Sequence, residues 1–189
     1  MIKSAKVAAA IVLFMGAVPA PAQIVSGELM FDQRSGYWSS FLLVLPSAAN
    51  TRASAASTDG TATTLAIDFT PPNCNPVLKF LFPMGSAAPK DNTRVDLSIT
   101  MRTDSGARVE FSAASMVTMG DTTGMIYVMD SGNLLGQVGE MSRGQVLRVK
   151  TVFGDDTTGA IYNTYSLMGM TAAYRRAEGM CKNPASFRR

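Results

Sequence analysis

Two cysteines are the most reactive side chains in this sequence: Cys74, in PPNCNP, and Cys181, in EGMCKN. They are far apart, no Cys-x-x-Cys pair occurs, and nothing beside either one would activate a thiol strongly. An even number of cysteines in an oxidising compartment is typical of a disulfide. The sequence therefore predicts a Cys74–Cys181 disulfide, with two free thiols as the alternative.

The sequence contains no histidine, and this excludes much of the usual enzyme chemistry. Ser-His-Asp and Cys-His systems, histidine zinc sites and the commonest general base all need that side chain. No Ser-x-x-Lys arrangement occurs either. A glycosidase-type carboxylate pair from separate strands stays open, with Asp68, Asp96 and Glu110 as candidates. The chain is predicted to be a non-enzyme, and a hydrolase without histidine is an alternative.

A cluster of methionines offers a second kind of chemistry, because thioethers bind Cu(I) in exported proteins. Met116, Met119, Met125 and Met129 surround the stretch GDTTG at 120–124. The same residues suit a core face, where Met fills irregular gaps. Without histidine or a spare cysteine to complete a site, core packing is the favoured interpretation, and no cofactor is predicted.

The stretch GDTTG nearly repeats at 154–159 as GDDTTG, and each copy precedes an Ile-Tyr strand. A calcium loop needs several carboxylates at alternate positions and a closing acid, which these stretches lack. Both are predicted to be hairpin-type turns.

Six aromatic residues could form a glycan or peptide platform if they were exposed: Tyr37, Trp38, Tyr127, Tyr162, Tyr165 and Tyr174. Aromatic residues of a small sandwich are more often core, and Trp38, beside a strongly apolar run, is predicted to be buried.

The N-terminus, MIKSAKVAAAIVLFMGAVPAPAQ, has two lysines, a short apolar run and an Ala-Pro-Ala site. This pattern predicts a Sec-type signal peptide over residues 1–22, cleaved before Gln23, and hence a periplasmic or secreted protein. The remainder, residues 23–189, is predicted to be one domain. Its 15 basic and 14 acidic residues nearly balance, but five basic residues lie at the C-terminus. These are Arg175, Arg176, Lys182, Arg188 and Arg189. Such a basic tail could touch an anionic membrane surface or cell-wall polymer, or could be a solvated helix face.

Short alternating runs of β-branched and aromatic residues, separated by Gly, Asp, Asn and Pro, indicate an all-β fold. The predicted strands are 37–45, 64–69, 77–82, 94–102, 107–113, 125–129, 145–153 and 160–167. The Ala-, Ser- and Thr-rich stretch 50–63 predicts a mobile connection, and the double proline before Cys74 predicts a rigid loop. The fold class is therefore a β-sandwich of about eight to ten strands.

Two helices accompany the predicted strands. Leu134, Val138 and Met141 recur at helical spacing, although Gly136 and Gly139 limit that helix to one or two turns. The C-terminal helix, 169–181, is stronger, because its apolar residues share one face. Cys181 ends that face, where a bridge to the loop of Cys74 is geometrically sensible.

The run LLGQVGEMSRGQVLRVKTVF at 134–153 places a short helix and a glycine turn before a strand. A later strand passes through Ser166–Ala173, SLMGMTAA, into the last helix. With Trp38 and VLKFLFPMG at 77–85, this pattern resembles small exported proteobacterial proteins of the invasion-associated locus B family. The ending also looks like periplasmic accessory proteins of secretion systems. The resemblance implies an envelope or secreted β-sandwich with no established catalysis.

These observations favour a non-enzymatic exported envelope protein that binds another envelope or secreted protein, such as an invasion or secretion accessory factor. The alternative is a periplasmic binding module for Cu(I), held by methionine, or for a cell-wall polysaccharide. No Gly-rich phosphate loop and no basic-aromatic interleaving point to nucleic acid.

Overall fold

The chain folds mainly into β-strands, as seen in a computed structural model that describes residues 28–44, 49–83, 94–106, 108–119, 123–128, 131–153 and 159–187. The predicted signal peptide, its cleavage site before Gln23, and Arg188 and Arg189 lie outside these ranges, as do 120–122 and 154–158 of the two GDTTG-type turns. No helix in the described ranges is long and apolar enough to cross a bilayer.

Ten strands and two α-helices make up the described part of the chain, with a short 3-10 helix at Pro184–Phe187. The strands are β1 (Glu28–Ser35), β2 (Trp38–Val44), β3 (Ala49–Ala56), β4 (Thr64–Thr70), β5 (Asn75–Pro83), β6 (Arg94–Thr103), β7 (Arg108–Met119), β8 (Thr123–Val128), β9 (Val146–Phe153) and β10 (Ile161–Ser166). The helices are α1 (Ser131–Met141) and α2 (Met170–Lys182).

All ten strands belong to one antiparallel sheet in the order β1-β2-β3-β4-β5-β8-β7-β6-β9-β10. The β10 end of this sheet approaches β2 and β3, because the Trp38 indole N–H donates to the Ser166 carbonyl over 2.8 Å and the Thr58 N–H, just after β3, donates to the Thr164 carbonyl over 2.8 Å. The sheet therefore folds over into two layers that enclose a core. This confirms the predicted all-β sandwich.

The core forms where inward-facing apolar side chains, which recur at every second residue, lie directly opposite one another on neighbouring strands. Trp38, Ala55, Leu65 and Phe80 pair across β2 to β5 as one row, and all four are buried. The opposite layer contributes Ile99, Leu147 and other inward residues to the same cluster. Burying one such large apolar side chain contributes about 1.5 to 3 kcal/mol, so the rows hold the layers together. The prediction that Trp38 is buried is confirmed.

Strand β3 corrects the prediction that 50–63 is a mobile connection. Ala53 and Ala55 are buried, and helix α2 lies across this strand. The Thr51 hydroxyl donates to the Ala177 carbonyl of α2 over 2.7 Å. The prediction is wrong over 50–56 because it searched for apolar bulk. A strand that a helix backbone approaches closely needs small side chains instead.

Helix α1 is longer than the one or two turns predicted, with 11 residues. Gly136 and Gly139 lower its intrinsic propensity, but the helix buries Gln137 and Met141 and packs against β5. Tertiary packing supplies most of the stability of a short helix and here outweighs the two glycines.

Helix α2 confirms the second predicted helix and is fixed to the sandwich by the disulfide. Cys181, near its end, is bonded to Cys74 in the turn between β4 and β5, with 5.9 Å between the Cα atoms. The two residues are separated by 107 positions in the chain. In a chain-entropy account, such a cross-link contributes about 4 to 5 kcal/mol. The cross-link therefore keeps the C-terminal helix on the sheet.

Candidate functional site

The carboxylate that sequence reasoning kept open as catalytic, Asp68, is held in a buried ion-pair cluster on β3, β4 and β5. Its side chain is 1% exposed and accepts hydrogen bonds from Arg52 Nε at 2.6 Å and Arg52 Nη2 at 2.8 Å. Lys79 Nζ lies 2.7 Å from its second oxygen. Burial alone would raise the pKa of Asp68, but the two cations outweigh it and lower the pKa. We call these three residues the buried triad. Because Asp68 stays ionised and fully bonded, it is unsuited to general acid catalysis.

The other two candidate carboxylates are not brought together by the strand register. Asp96 of β6 pairs with Ser115, and Glu110 of β7 pairs with Thr100. Thr100 marks the position on β6 that lies opposite Glu110. It is four residues from Asp96, which corresponds to about 13 Å along the strand. Glycosidase pairs lie within about 5 to 9.5 Å. The register therefore does not place Asp96 and Glu110 opposite each other, and a catalytic pair of these residues stays a prediction.

The methionine cluster falls in different rows of the sheet. Met116 pairs with Ile126, whereas Met125 pairs with Val117 and with Leu81 on the other side of β8. These are consecutive rows of the backbone register between β7 and β8. Met119 pairs with Thr123, and Met129 lies outside the described residues. Cu(I) binding by these methionines stays a prediction. In the described part of the chain, no group of three or more carboxylate or cysteine side chains is arranged to hold a metal ion.

The aromatic residues divide into core residues and two exposed tyrosines. Trp38, Tyr165 and Tyr174 are buried, and the side chain of Tyr127 lies outside the described residues. The Tyr174 ring packs edge-on against Phe69 at 5.1 Å, which ties α2 to the core. Tyr37 is 53% exposed and Tyr162 is 66% exposed. These two remain as surface aromatics that could contact a ligand.

The basic C-terminal residues are used partly inside the protein. Arg176 donates from Nη1 to the Ser40 carbonyl over 2.9 Å and from Nη2 to the Phe31 carbonyl over 2.7 Å. It thus fixes α2 to the irregular part of β1, where the register shifts between Met30 and Gln33. Lys182 forms an exposed pair with Glu178 at 2.6 Å. Membrane or polymer contact by the tail stays a prediction.

Two glycine turns meet backbone to backbone at one end of the sandwich. The turn between β1 and β2 carries Gly36, and the turn between β10 and α2 carries Gly169. The Tyr37 N–H donates to the Met168 carbonyl over 3.1 Å. The Trp38 indole N–H donates to the Ser166 carbonyl over 2.8 Å. We call this contact the glycine seam.

Only glycine fits at the centre of the glycine seam. Gly169 has a φ of 90°, and a Cβ there would lie 1.8 Å from the Ser35 carbonyl oxygen. Gly36 has a φ of 60°, and a Cβ there would lie 2.6 Å from the Met168 carbonyl oxygen. Both conformations favour glycine, and both distances are shorter than non-bonded atoms tolerate. The two turns are therefore locked against each other.

A cleft of about 500 Å³ opens beside the glycine seam. Its lining includes Tyr37, Thr58, Gln145, Val146, Ser166 and Met168. We call it the seam cleft. Met168 is 64% exposed and, with Tyr37, gives the cleft two large solvent-facing side chains. Both belong to the locked turns, so their backbones are held in place.

Three backbone groups beside the seam cleft are already paired. The Gln145 carbonyl accepts from the Leu167 N–H over 2.7 Å, and the Asp104 carboxylate accepts from the Gln145 N–H over 2.9 Å and the Val146 N–H over 3.3 Å. These two backbone donors lower the pKa of Asp104. A ligand in the seam cleft would therefore meet the Tyr37 ring, the Met168 thioether and the Gln145 side chain, because these backbone groups are already bonded.

Asp59 braces the same end of the sandwich from the loop that follows β3. Its carboxylate accepts from the Thr164 N–H over 2.6 Å, the Thr61 hydroxyl over 2.6 Å and the Thr61 N–H over 3.1 Å. Partial burial would raise the pKa of Asp59, but these hydrogen bonds outweigh it and lower the pKa. The loop is thereby fastened to β10 near the seam cleft.

The fold and the seam define a disulfide-linked β-sandwich closed by a C-terminal helix. The structure is similar to that of invasion associated protein B from Bartonella henselae, with a TM-score of 0.50 and 15% sequence identity. The similarity covers 80% of this chain and 97% of the other. No family model and no curated protein sequence matches this chain. At this identity the likeness establishes the fold, and it agrees with the weak resemblance seen in the sequence.

The seam cleft is not predicted by the sequence patterns described above, although the stretch SLMGMTAA contains one signal for it. The stretch SLMGMTAA was recognised only as a point of resemblance. Its glycine explains the conformation: Gly169 allows the left-handed turn that leaves Met168 outside and buries Met170. Met168 directly precedes this glycine and lies outside the apolar face of α2. That position in the sequence was the signal that its side chain is exposed.

Proposed function

We propose that this protein is an exported, non-enzymatic envelope protein that binds another protein through the seam cleft. The main support for this proposal is the pair of exposed side chains, Tyr37 and Met168, on two turns that the glycine seam locks together. The predicted signal peptide and the disulfide support an oxidising compartment, and the fold likeness to invasion associated protein B agrees with it.

The chemistry of the seam cleft favours a protein partner. Tyrosine and methionine are enriched at protein–protein interfaces, and tyrosine supplies a large contact area with little loss of side-chain freedom. The backbone that carries them is already ordered, so binding costs less conformational entropy. The residues that line the cleft carry no carboxylate or amine, which supports contact with another protein rather than catalysis.

The test is site-specific photo-cross-linking in the cells that export the protein. A photo-reactive residue is placed at Met168, at Tyr37 or, as the matched control, at Tyr162. Tyr162 has similar exposure but lies four residues before Ser166 on β10, about 13 Å along the strand. We expect one partner band from the first two positions and none from Tyr162. Equal yields from all three positions, or none from Met168 and Tyr37, would contradict the proposal.

Export is tested separately by fractionation and by the mass of the mature chain. We expect a periplasmic or secreted product that begins at Gln23. A cytoplasmic product that retains residues 1–22 would exclude this part of the proposal.

A further inference from the structure

Met168 differs from the other methionines whose side chains the structure describes. It is 64% exposed and Met30 is 36% exposed, whereas Met101, Met141, Met170 and Met180 are buried. Met168 and Met170 are separated by one residue, yet they are at the two extremes of exposure. The left-handed conformation of Gly169 reverses the chain between them.

The exposure of Met168 is built into the glycine seam. Its carbonyl accepts from Tyr37, its N–H donates to the Ser166 hydroxyl over 3.3 Å, and its side chain passes close to Gly36. Because the Gly169 backbone packs directly against the Ser35 carbonyl and the Met168 carbonyl is bonded to Tyr37, the turn is held in the conformation that leaves Met168 outside the core. The sulfur of Met168 therefore stays accessible in the folded protein.

We propose that Met168 is a site of reversible oxidation to methionine sulfoxide, and that this oxidation weakens partner binding at the seam cleft. The oxidant is a two-electron oxidant of the extracellular environment, such as hydrogen peroxide. The thioether sulfur attacks one peroxide oxygen, an S–O bond forms, the O–O bond breaks, and the second oxygen leaves as water after proton transfer. The sulfur loses two electrons and the peroxide gains them.

The second half of the proposal rests on the proposed function. A sulfoxide is polar and chiral where the thioether is apolar, so an interface that buries it must also satisfy its oxygen. A binding surface that fits the apolar thioether beside Tyr37 would not provide a hydrogen-bond donor for the sulfoxide oxygen. We expect oxidation to weaken binding about tenfold, and reduction by a methionine sulfoxide reductase to restore it.

The first test is oxidation of the folded, disulfide-bonded protein with limiting hydrogen peroxide, followed by peptide mass mapping. Residues 151–175 form one tryptic peptide that contains both Met168 and Met170, so fragment ions compare the two within the same molecule. We expect Met168 to react about ten times faster than Met170 or more, and the two rates to become equal in denaturant. Equal rates in the folded protein would overturn the proposal, whatever the partner is.

The second test repeats the photo-cross-linking from Tyr37 after peroxide treatment, with Met168→Leu as the matched variant. Leucine retains the apolar contact and cannot form a sulfoxide. We expect the wild-type cross-link to fall about tenfold and the Met168→Leu cross-link to persist. If the wild-type cross-link also persists, the switch is wrong and the proposed function stands. If the untreated protein gives no cross-link, the proposed function fails while the first test still decides the oxidation site.

Discussion

The buried triad and the seam cleft are two contrasting regions of the molecule: the first buries charged side chains, and the second exposes largely apolar ones. The triad places two cations around one carboxylate on β3, β4 and β5, where Asp68 is 1% exposed and lies on the sheet face opposite the row of Ala55, Leu65 and Phe80. The cleft exposes Tyr37 and Met168 above a backbone whose hydrogen bonds are already formed.

This contrast shows that charged residues with shifted pKa values do not mark a functional site in the described part of this chain. Carboxylates whose pKa values are lowered, such as those of Asp68 and Asp59, bond to groups of their own protein and fasten strands or loops. Perturbed pKa values often mark functional sites, but structural ion pairs produce them as well. The seam cleft instead presents Tyr37 and Met168 beside polar residues, and two glycines fix the turns that carry them.

Gly169→Ala is expected to have the largest effect, because it removes the conformation on which the seam cleft depends. The added methyl group would meet the Ser35 carbonyl, and alanine resists the left-handed backbone. We expect unfolding free energy to fall by about 4 kcal/mol or more, measured by denaturant unfolding. Gly179→Ala, within helix α2, is the control, since nothing lies near its Cβ position. That variant should gain about 0.8 kcal/mol. Equal effects of the two variants would show that the seam is not locked.

Asp68→Asn is expected to come next, because it removes the only negative charge of the buried triad. Breaking one partner of a buried ion pair costs about 3 kcal/mol, since the remaining charges stay desolvated. The exposed pair of Glu178 and Lys182 gives the comparison, and Glu178→Gln should cost less than about 0.5 kcal/mol. Thermal and denaturant unfolding measure both. If Asp68→Asn were as mild as Glu178→Gln, the triad would not be a stabilising element.

Acid should weaken the protein by a smaller, graded amount. The pKa values of Asp68, Asp59 and Asp104 are all lowered in the folded state. A lowered pKa means that the folded state favours the ionised group, so this stability is present above the ordinary value of 3.8 and is lost as pH falls through the folded pKa. Denaturant midpoints should be level near neutral pH and decline below about pH 4. Stability that rose on acidification would contradict the sign of these shifts.

Met168→Ala and Tyr37→Ala are expected to have the smallest effects on stability. Both side chains are largely exposed, and the backbone bonds of the glycine seam do not depend on them. Each variant should change unfolding free energy by no more than about 0.5 kcal/mol. A large loss in either would mean that the side chain supports the fold, and its role in recognition would then need separate proof.

The sandwich could be predicted from the sequence where apolar alternation is strong, as in β6, and where a helical stripe is clear, as in α2. Strand β3 could not, because ANTRASAA has little apolar bulk. It is a strand because α2 packs closely over its small side chains, and that contact joins residues such as Thr51 and Ala177 that are distant in the chain. Local pattern reading has no access to such a contact.

The candidate site was harder to predict than the fold for a related reason. The glycine seam needs Gly36 and Gly169 to meet, and no spacing in the sequence links them. The exposure of Met168 and the burial of Met170 follow from one backbone angle between two identical residue types. Composition shows only that methionine is abundant, and the densest cluster of methionines in the sequence lies at 116–129, away from Met168.

The most direct measurement is the affinity of the cross-linked partner, once purified, for wild-type protein, Met168→Ala and Tyr162→Ala. The denaturant midpoints of all three proteins are measured first, so that differences in affinity can be assigned to contact rather than to folding. The account predicts that Met168→Ala weakens binding about tenfold or more, about 1.4 kcal/mol, as expected for a central contact residue, and that Tyr162→Ala changes it less than about twofold. Unchanged affinity for Met168→Ala, or a larger loss for Tyr162→Ala, would contradict recognition at the seam cleft.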